Sequence, residues 1–133
     1  PGYIRMFKDA KTYCNHLTVA LHEDPSMSRP SKITPSQSVE DRIEILKSIK
    51  YVDEVIVYQA EDTFLSYLDD YDIRFLGDDY IDGSYTGKDI PIEIVFLNRS
   101  HGYSTTKLKY KIYEQVEKQS KYVWGEHYAN CYE

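Results

Sequence analysis

Four short apolar runs, Leu17–Leu21, Val55–Val57, Ile73–Leu76 and Ile92–Leu97, are separated by stretches with helical spacing. A strand that is apolar without alternation has to be covered on both faces. Strands of this kind alternating with helices predict a parallel sheet layered between helices, a doubly wound α/β domain. The predicted order is α-β-α-β-α-β-β-α. In such a sheet the ligand site lies beyond the carboxyl ends of the strands.

The intervening segments support this order. Tyr3–Cys14 reads as a helix whose buried side is supplied by Ile4, Met6, Phe7 and Ala10, with Arg5, Lys8, Asp9 and Lys11 toward water. Ser26–Gln37 is rich in Ser and Pro and reads as a loop, with Arg29 and Lys32 inside it. Ser38 is placed to cap the next helix, with Asp41 at the third position, and Val39, Ile43, Leu46 and Ile49 repeat at helical spacing. Thr63–Asp70 predicts a short helix packing Phe64, Leu65 and Leu68, and Asp82–Asp89 a polar loop. The last helix is expected from Thr105 to about Lys118. The expected division is one domain over residues 1–120 and an aromatic tail over 121–133. Tyr122, Trp124, Tyr128 and Tyr132 of that tail either pack on the domain or a partner or remain unstructured.

A chain of 133 residues, 41% of them hydrophobic, suits one domain with one moderate core. A net charge of -6 leaves no broad basic surface, which argues against duplex nucleic acid as a partner. Cys14 and Cys131 lie far apart and match no metal or redox spacing, so reduced thiols and a cytoplasmic location are expected. No apolar run approaches the roughly 20 residues needed to cross a bilayer.

Three polar clusters follow strand ends: His22-Glu23-Asp24, Gly77-Asp78-Asp79, and Arg99 through Thr106. The third combines a strand end, a polar turn and a helix start. The free N–H groups of a first helical turn attract anions. Ser104, Thr105 and Thr106 add hydroxyls, and Arg99 and Lys107 add positive charge. Capping alone also accounts for the hydroxyls. Among the histidines, His101 lies inside this turn, His16 reads as a turn residue and His127 as part of the tail, and His22, Glu23 and Asp24 do not form a convincing metal cage.

At this point the chain resembles the small nucleotidylyltransferases, in particular the glycerol-3-phosphate cytidylyltransferases. Arg99 through Thr106 resembles their R-x-x-x-[IV]-S-T-T element, Glu40-Asp41-Arg42 their E-x-R helix, Tyr51 through Val55 their Y-V-D-E-V segment, and Gly77-Asp78-Asp79-Tyr80 their G-D-D-W. Pro1-Gly2-Tyr3-Ile4 aligns with the end of their H-x-G-H signature. The resemblance covers about residues 1 to 117. It implies a Rossmann-like fold and transfer of a cytidylyl group from CTP to a small phosphorylated alcohol, with glycerol-3-phosphate the default acceptor.

By the same resemblance Arg99 and Lys32 contact phosphate, and Gly102, Tyr103, Ser104, Thr105 and Thr106 hold the nucleotide's phosphates. Arg42 contacts phosphate or acceptor, or braces a dimer; of Asp78 and Asp79 after Gly77, one approaches the nucleoside and the other caps or braces the loop, with an Asx-type turn the alternative. Mg²⁺ is expected to be carried mainly by substrate phosphates, with no protein metal ligands, and the protein is expected to be a homodimer. Two features depart from the pattern. The family's first strand and first signature histidine are absent from this chain, and Tyr3 stands in place of the second. Tyrosine can donate one hydrogen bond but does not become cationic. The absent strand is central in the family's sheet, between the strands around Val19 and Phe75, so further residues are expected upstream. Another nucleotide, another acceptor, or a binding module with impaired catalysis are the alternatives.

Overall fold

The computed structural model describes residues 1–28, 30–99 and 102–123. Two compact units, Pro1–His101 and Gly102–Glu133, divide the chain. In the first, α1 (Gly2–Ala10) leads to β1 (Thr18–His22), a one-turn α2 (Pro25–Ser28), α3 (Val39–Lys47), β2 (Glu54–Tyr58) and α4 (Glu61–Tyr67). β3 (Ile73–Gly77) and β4 (Glu93–Leu97) complete it, with single 3₁₀ turns at Leu68–Asp70 and Asp78–Tyr80. The second unit contains α5 (Thr105–Val123).

All four strands pair in parallel. β1 runs beside β2 with His22 level with Tyr58, and β3 beside β4 with Gly77 level with Leu97. The single sheet expected from the sequence is divided: β1–β2 and β3–β4 are separate two-stranded sheets. Val19 lies in the first of these sheets and Phe75 in the second. Among the described residues each strand pairs along one edge only, and its side chains are mostly half-buried rather than enclosed.

α1 covers one face of the β3–β4 sheet. Phe75 and Val95 pack with Met6 and Phe7 of α1 around Ala10, Leu17 and Leu97, which are 1%, 6% and 3% exposed. Arg74, the neighbour of Phe75 on β3, points to the opposite face and lies on the Phe64 ring of α4. Leu68 is buried separately. This is the α/β architecture the apolar runs predicted.

Local chemistry sets the helix bounds. Ser38 caps α3 as expected, its side chain accepting from the Asp41 N–H at 3.1 Å. α1 stops at Ala10 rather than Cys14, because Thr12 and Tyr13 N–H groups bond the Asp9 and Ala10 carbonyls in tighter turns. Tyr3 and Ile4 lie exposed on α1, so its buried side comes from Met6, Phe7 and Ala10 without Ile4. The segment read as loop from Ser26 onward begins inside α2. There Asp24 Oδ1 accepts from the Ser26 N–H at 3.0 Å and from its hydroxyl at 2.5 Å, and Pro25 fits a first helical turn. α5 runs on to Val123, past the expected end near Lys118.

At the opposite end of the sheet, the Y-V-D-E-V segment ties β1 to β2. The Asp53 carboxylate accepts from the Leu17 N–H at 2.7 Å and pairs with Lys11. His16 and Thr18 bond Glu54. The Lys11 and Leu17 donors hold the Asp53 carboxyl below its usual pKa.

Candidate functional site

The register places the ends of β3 and β4 side by side, so the residues that follow them meet. Gly77 closes β3, Asp78 and Asp79 form the first residues of a 3₁₀ turn, and Arg99 lies two residues past β4. Asp78 Oδ1 accepts the Arg99 backbone N–H at 3.1 Å, bridging the two strand ends. The Arg99 guanidinium stands 4.0 Å from Asp79 Oδ2. Gly77 is buried beneath both. Its φ of -64° and ψ of 149° suit any residue. Glycine is needed there for space: a Cβ would overlap Asp79 Oδ1 and Arg99 Cδ. Four residues singled out from the sequence, Gly77, Asp78, Asp79 and Arg99, are thus brought into one cluster at the carboxyl edge.

The other candidates are placed differently. Arg42 reaches from α3 to the end of β1. Its Nη1 donates to the His22 carbonyl at 3.0 Å, its Nη2 to the Glu23 carbonyl, and its Nε to the Ser38 carbonyl at 3.3 Å. All three nitrogens therefore hold backbone, and in this structure Arg42 braces the β1 end. Lys32 is exposed in the loop before α3. Tyr3 is 56% exposed on the first turn of α1, its ring stacked on Phe7 at 6.2 Å.

In the second unit, Gly102 has a φ of 75°, a left-handed conformation that glycine adopts freely. Ser104 caps α5: its hydroxyl accepts from the Lys107 N–H at 3.3 Å and its carbonyl from the Leu108 N–H at 3.0 Å. Tyr103, Thr105 and Thr106 are exposed at the helix start. Ser100, His101, Arg29, Cys131 and the tail residues Trp124, His127, Tyr128 and Tyr132 lie outside the described residues.

Two features were not anticipated. Arg74 is a charged residue in an apolar strand, and that exception was the available signal. Its guanidinium lies between the Phe64 and Tyr85 rings, 5.0 and 5.3 Å from their centroids, and Nη1 donates to the Thr86 carbonyl at 2.7 Å. Thr86 in turn donates to Glu61 at 2.6 Å, so the loop after the acidic turn is fastened to α4. Burial lowers the Arg74 pKa. His22 packs edge-on against Tyr58 at 4.7 Å, with both ring nitrogens buried and without a hydrogen-bond partner. The sequence placed His22 in the polar cluster after the first strand, whereas the fold makes it the last residue of β1, level with Tyr58.

Among the described residues no group of three His, Cys, Asp or Glu side chains is arranged to hold a metal ion. Nor is any helix there long and apolar enough to cross a membrane.

The profile of the cytidylyltransferase-like family matches residues 1–111. Glycerol-3-phosphate cytidylyltransferase of Bacillus subtilis is 34% identical over 113 residues, covering 84% of this chain and 86% of that protein. The enzyme of the same name from Staphylococcus aureus is 32% identical over 116 residues, covering 84% and 85%. The bifunctional protein HldE of Hyphomonas neptunium is 32% identical over 115 residues. There the match covers 81% of this chain but 24% of the relative, so the chain spans about a quarter of that longer protein. By these matches the chain belongs to the cytidylyltransferase-like family.

Proposed function

We propose that the protein transfers a cytidylyl group from CTP to a small phosphorylated alcohol, with glycerol-3-phosphate as the first acceptor to test. An acceptor phosphate oxygen attacks the α-phosphorus of CTP. The bond from that phosphorus to the β-phosphate oxygen breaks, and pyrophosphate leaves with the bond's electrons. The acceptor is an anion at neutral pH, so alignment and charge stabilisation matter more than a strong general base. The observation that carries this reading is the Gly77–Asp78–Asp79–Arg99 cluster at the carboxyl edge of β3 and β4.

Arg99 is assigned to phosphate, since its planar fork matches phosphate oxygens. Ser104, Thr105 and Thr106 are assigned to the β- and γ-phosphates, with Gly102 and Tyr103 shaping the turn before them. One of Asp78 and Asp79 is assigned to the nucleoside side, and Lys32 to phosphate through its loop. Tyr3 is assigned a single hydrogen bond to phosphate, and Arg42 acts by bracing the β1 end. Mg²⁺ is assigned mainly to substrate phosphate oxygens, the ligands this ion commonly takes beside phosphorylated substrates. When bound it supplies charge neutralisation. The protein works as a cytoplasmic homodimer.

The test is pyrophosphate release with CTP or ATP, glycerol-3-phosphate and Mg²⁺, with Arg99→Ala as control. The proposal expects release that requires both CTP and acceptor and falls sharply in Arg99→Ala. Release with ATP alone of the two nucleotides redirects the reading to another nucleotidylyltransferase. A second reading, a nucleotide-binding module without turnover, draws on the exposed Tyr3 where the family carries a signature histidine. Nucleotide binding without release from either nucleotide favours it.

A further inference from the structure

The geometry points to Asp79 as the resident counter-ion of Arg99, a carboxylate that an incoming phosphate has to displace. This rests on the reading of Arg99 as a phosphate-binding residue and adds a control on how tightly that residue binds.

The space a side chain at Gly77 would fill is occupied from two directions. Asp79 Oδ1 and Arg99 Cδ both stand where a Cβ would go, and Arg99 Cγ lies 3.1 Å from that position. The stem of the arginine and the carboxylate thus converge on one bare Cα. Their charged ends are 4.0 Å apart, well inside the screening length of about 8 Å at physiological salt. Asp78 takes the Arg99 backbone N–H at 3.1 Å, which fixes where the arginine side chain starts relative to the turn bearing Asp79. Two adjacent carboxylates therefore engage one arginine at this edge, one through its backbone and one through its charge.

A phosphate offers Arg99 a better, two-point partner. To take that position it has to outcompete the Asp79 carboxylate, and the two anions repel each other at close range. Asp79 consequently has two opposed effects: it holds the guanidinium over Gly77, and it weakens anion binding. At side-chain exposures of 30% and 55% the pair is largely solvated. Pairs of that kind are weak, so removing the carboxylate charge is expected to tighten anion binding by about two- to fivefold. A purely structural role for Asp79 predicts the opposite sign, since loosening the turn would weaken binding.

Inorganic pyrophosphate is the probe, because it lacks a nucleoside and isolates the phosphate contribution. Its affinity is measured by calorimetry for the unmodified protein, Asp79→Asn, Asp79→Glu and Arg99→Ala. Asp79→Ser serves as a second charge-free variant if Asp79→Asn does not fold. The expected result is tighter binding to the charge-free variant, near-original binding to Asp79→Glu and much weaker binding to Arg99→Ala. Equal or weaker binding to the charge-free variant, with binding still lost in Arg99→Ala, overturns the counter-ion role and leaves the Arg99 assignment standing. Undiminished binding in Arg99→Ala, or no binding to any of the proteins, overturns the Arg99 assignment itself.

Discussion

Replacing Gly77 with alanine adds one methyl group where Asp79 Oδ1 and Arg99 Cδ already stand. The backbone at Gly77, φ -64° and ψ 149°, accepts alanine without strain, so the effect is steric. If nothing moved, overpacking of this kind would cost about 1–3 kcal/mol. Arg99 and Asp79 are partly exposed and have room to turn outward, at the loss of an ion pair worth about 0–1 kcal/mol. The stability loss should therefore fall near 1 kcal/mol, about 3–5 °C in Tm for a chain of this size. The catalytic loss should be larger, because a displacement of about 1 Å in a positioning group can cost on the order of 100-fold in rate. Thermal unfolding and nucleotide-dependent pyrophosphate release would be measured in Gly77→Ala, Arg99→Ala and the double variant. If the clash with Arg99 is the cause, part of the stability penalty disappears once Arg99 is shortened. Unchanged stability and turnover in Gly77→Ala, or the same penalty with and without the arginine stem, would refute the steric reasoning.

Leu97→Ala, which empties a site 3% exposed at the centre of the α1-facing core, should lose about 2–5 kcal/mol in urea unfolding. Asp53, with its pKa depressed in the folded chain by Lys11 and the Leu17 N–H, contributes stability above the ordinary carboxylate range near pH 4, lost as pH falls through its lower folded value. Urea midpoints followed from pH 7 down to pH 2 should accordingly fall less steeply in Asp53→Asn than in the unmodified protein. His22→Phe removes two buried, unpartnered ring nitrogens while keeping the edge-on contact to Tyr58, so the unfolding midpoint should hold or rise rather than fall. Ser38→Ala should cost about 1 kcal/mol through the lost cap of α3, read from the same unfolding curves.

Local patterns carried much of this fold. The apolar runs around Val19, Ile56, Phe75 and Val95 became parallel strands, because an uninterrupted apolar strand needs cover on both faces. Ser38 became a helix cap because its hydroxyl and the N–H it accepts lie three residues apart, within reach of a single turn. Asp78, Asp79 and Arg99 were legible as candidate site residues because they follow the carboxyl ends of strands, Gly77 being the last residue of β3.

Tertiary structure alone decided how those residues divide their work. Asp78 bonds the Arg99 N–H across 21 positions of sequence, and Asp79 rather than Asp78 faces the guanidinium; nothing in two adjacent aspartates distinguishes them before the strands align. Along the chain Arg42 is open to phosphate, an acceptor or a dimer partner; in the fold its three nitrogens meet the backbone carbonyls of Ser38, His22 and Glu23. Arg74 gained its place only when α4 and the loop after β3 brought Phe64 and Tyr85 to its two sides. Spacing along the chain determines which face a residue occupies, because helix and strand periods are local. Which partner it meets there depends on elements distant in sequence, and that is settled only when they pack.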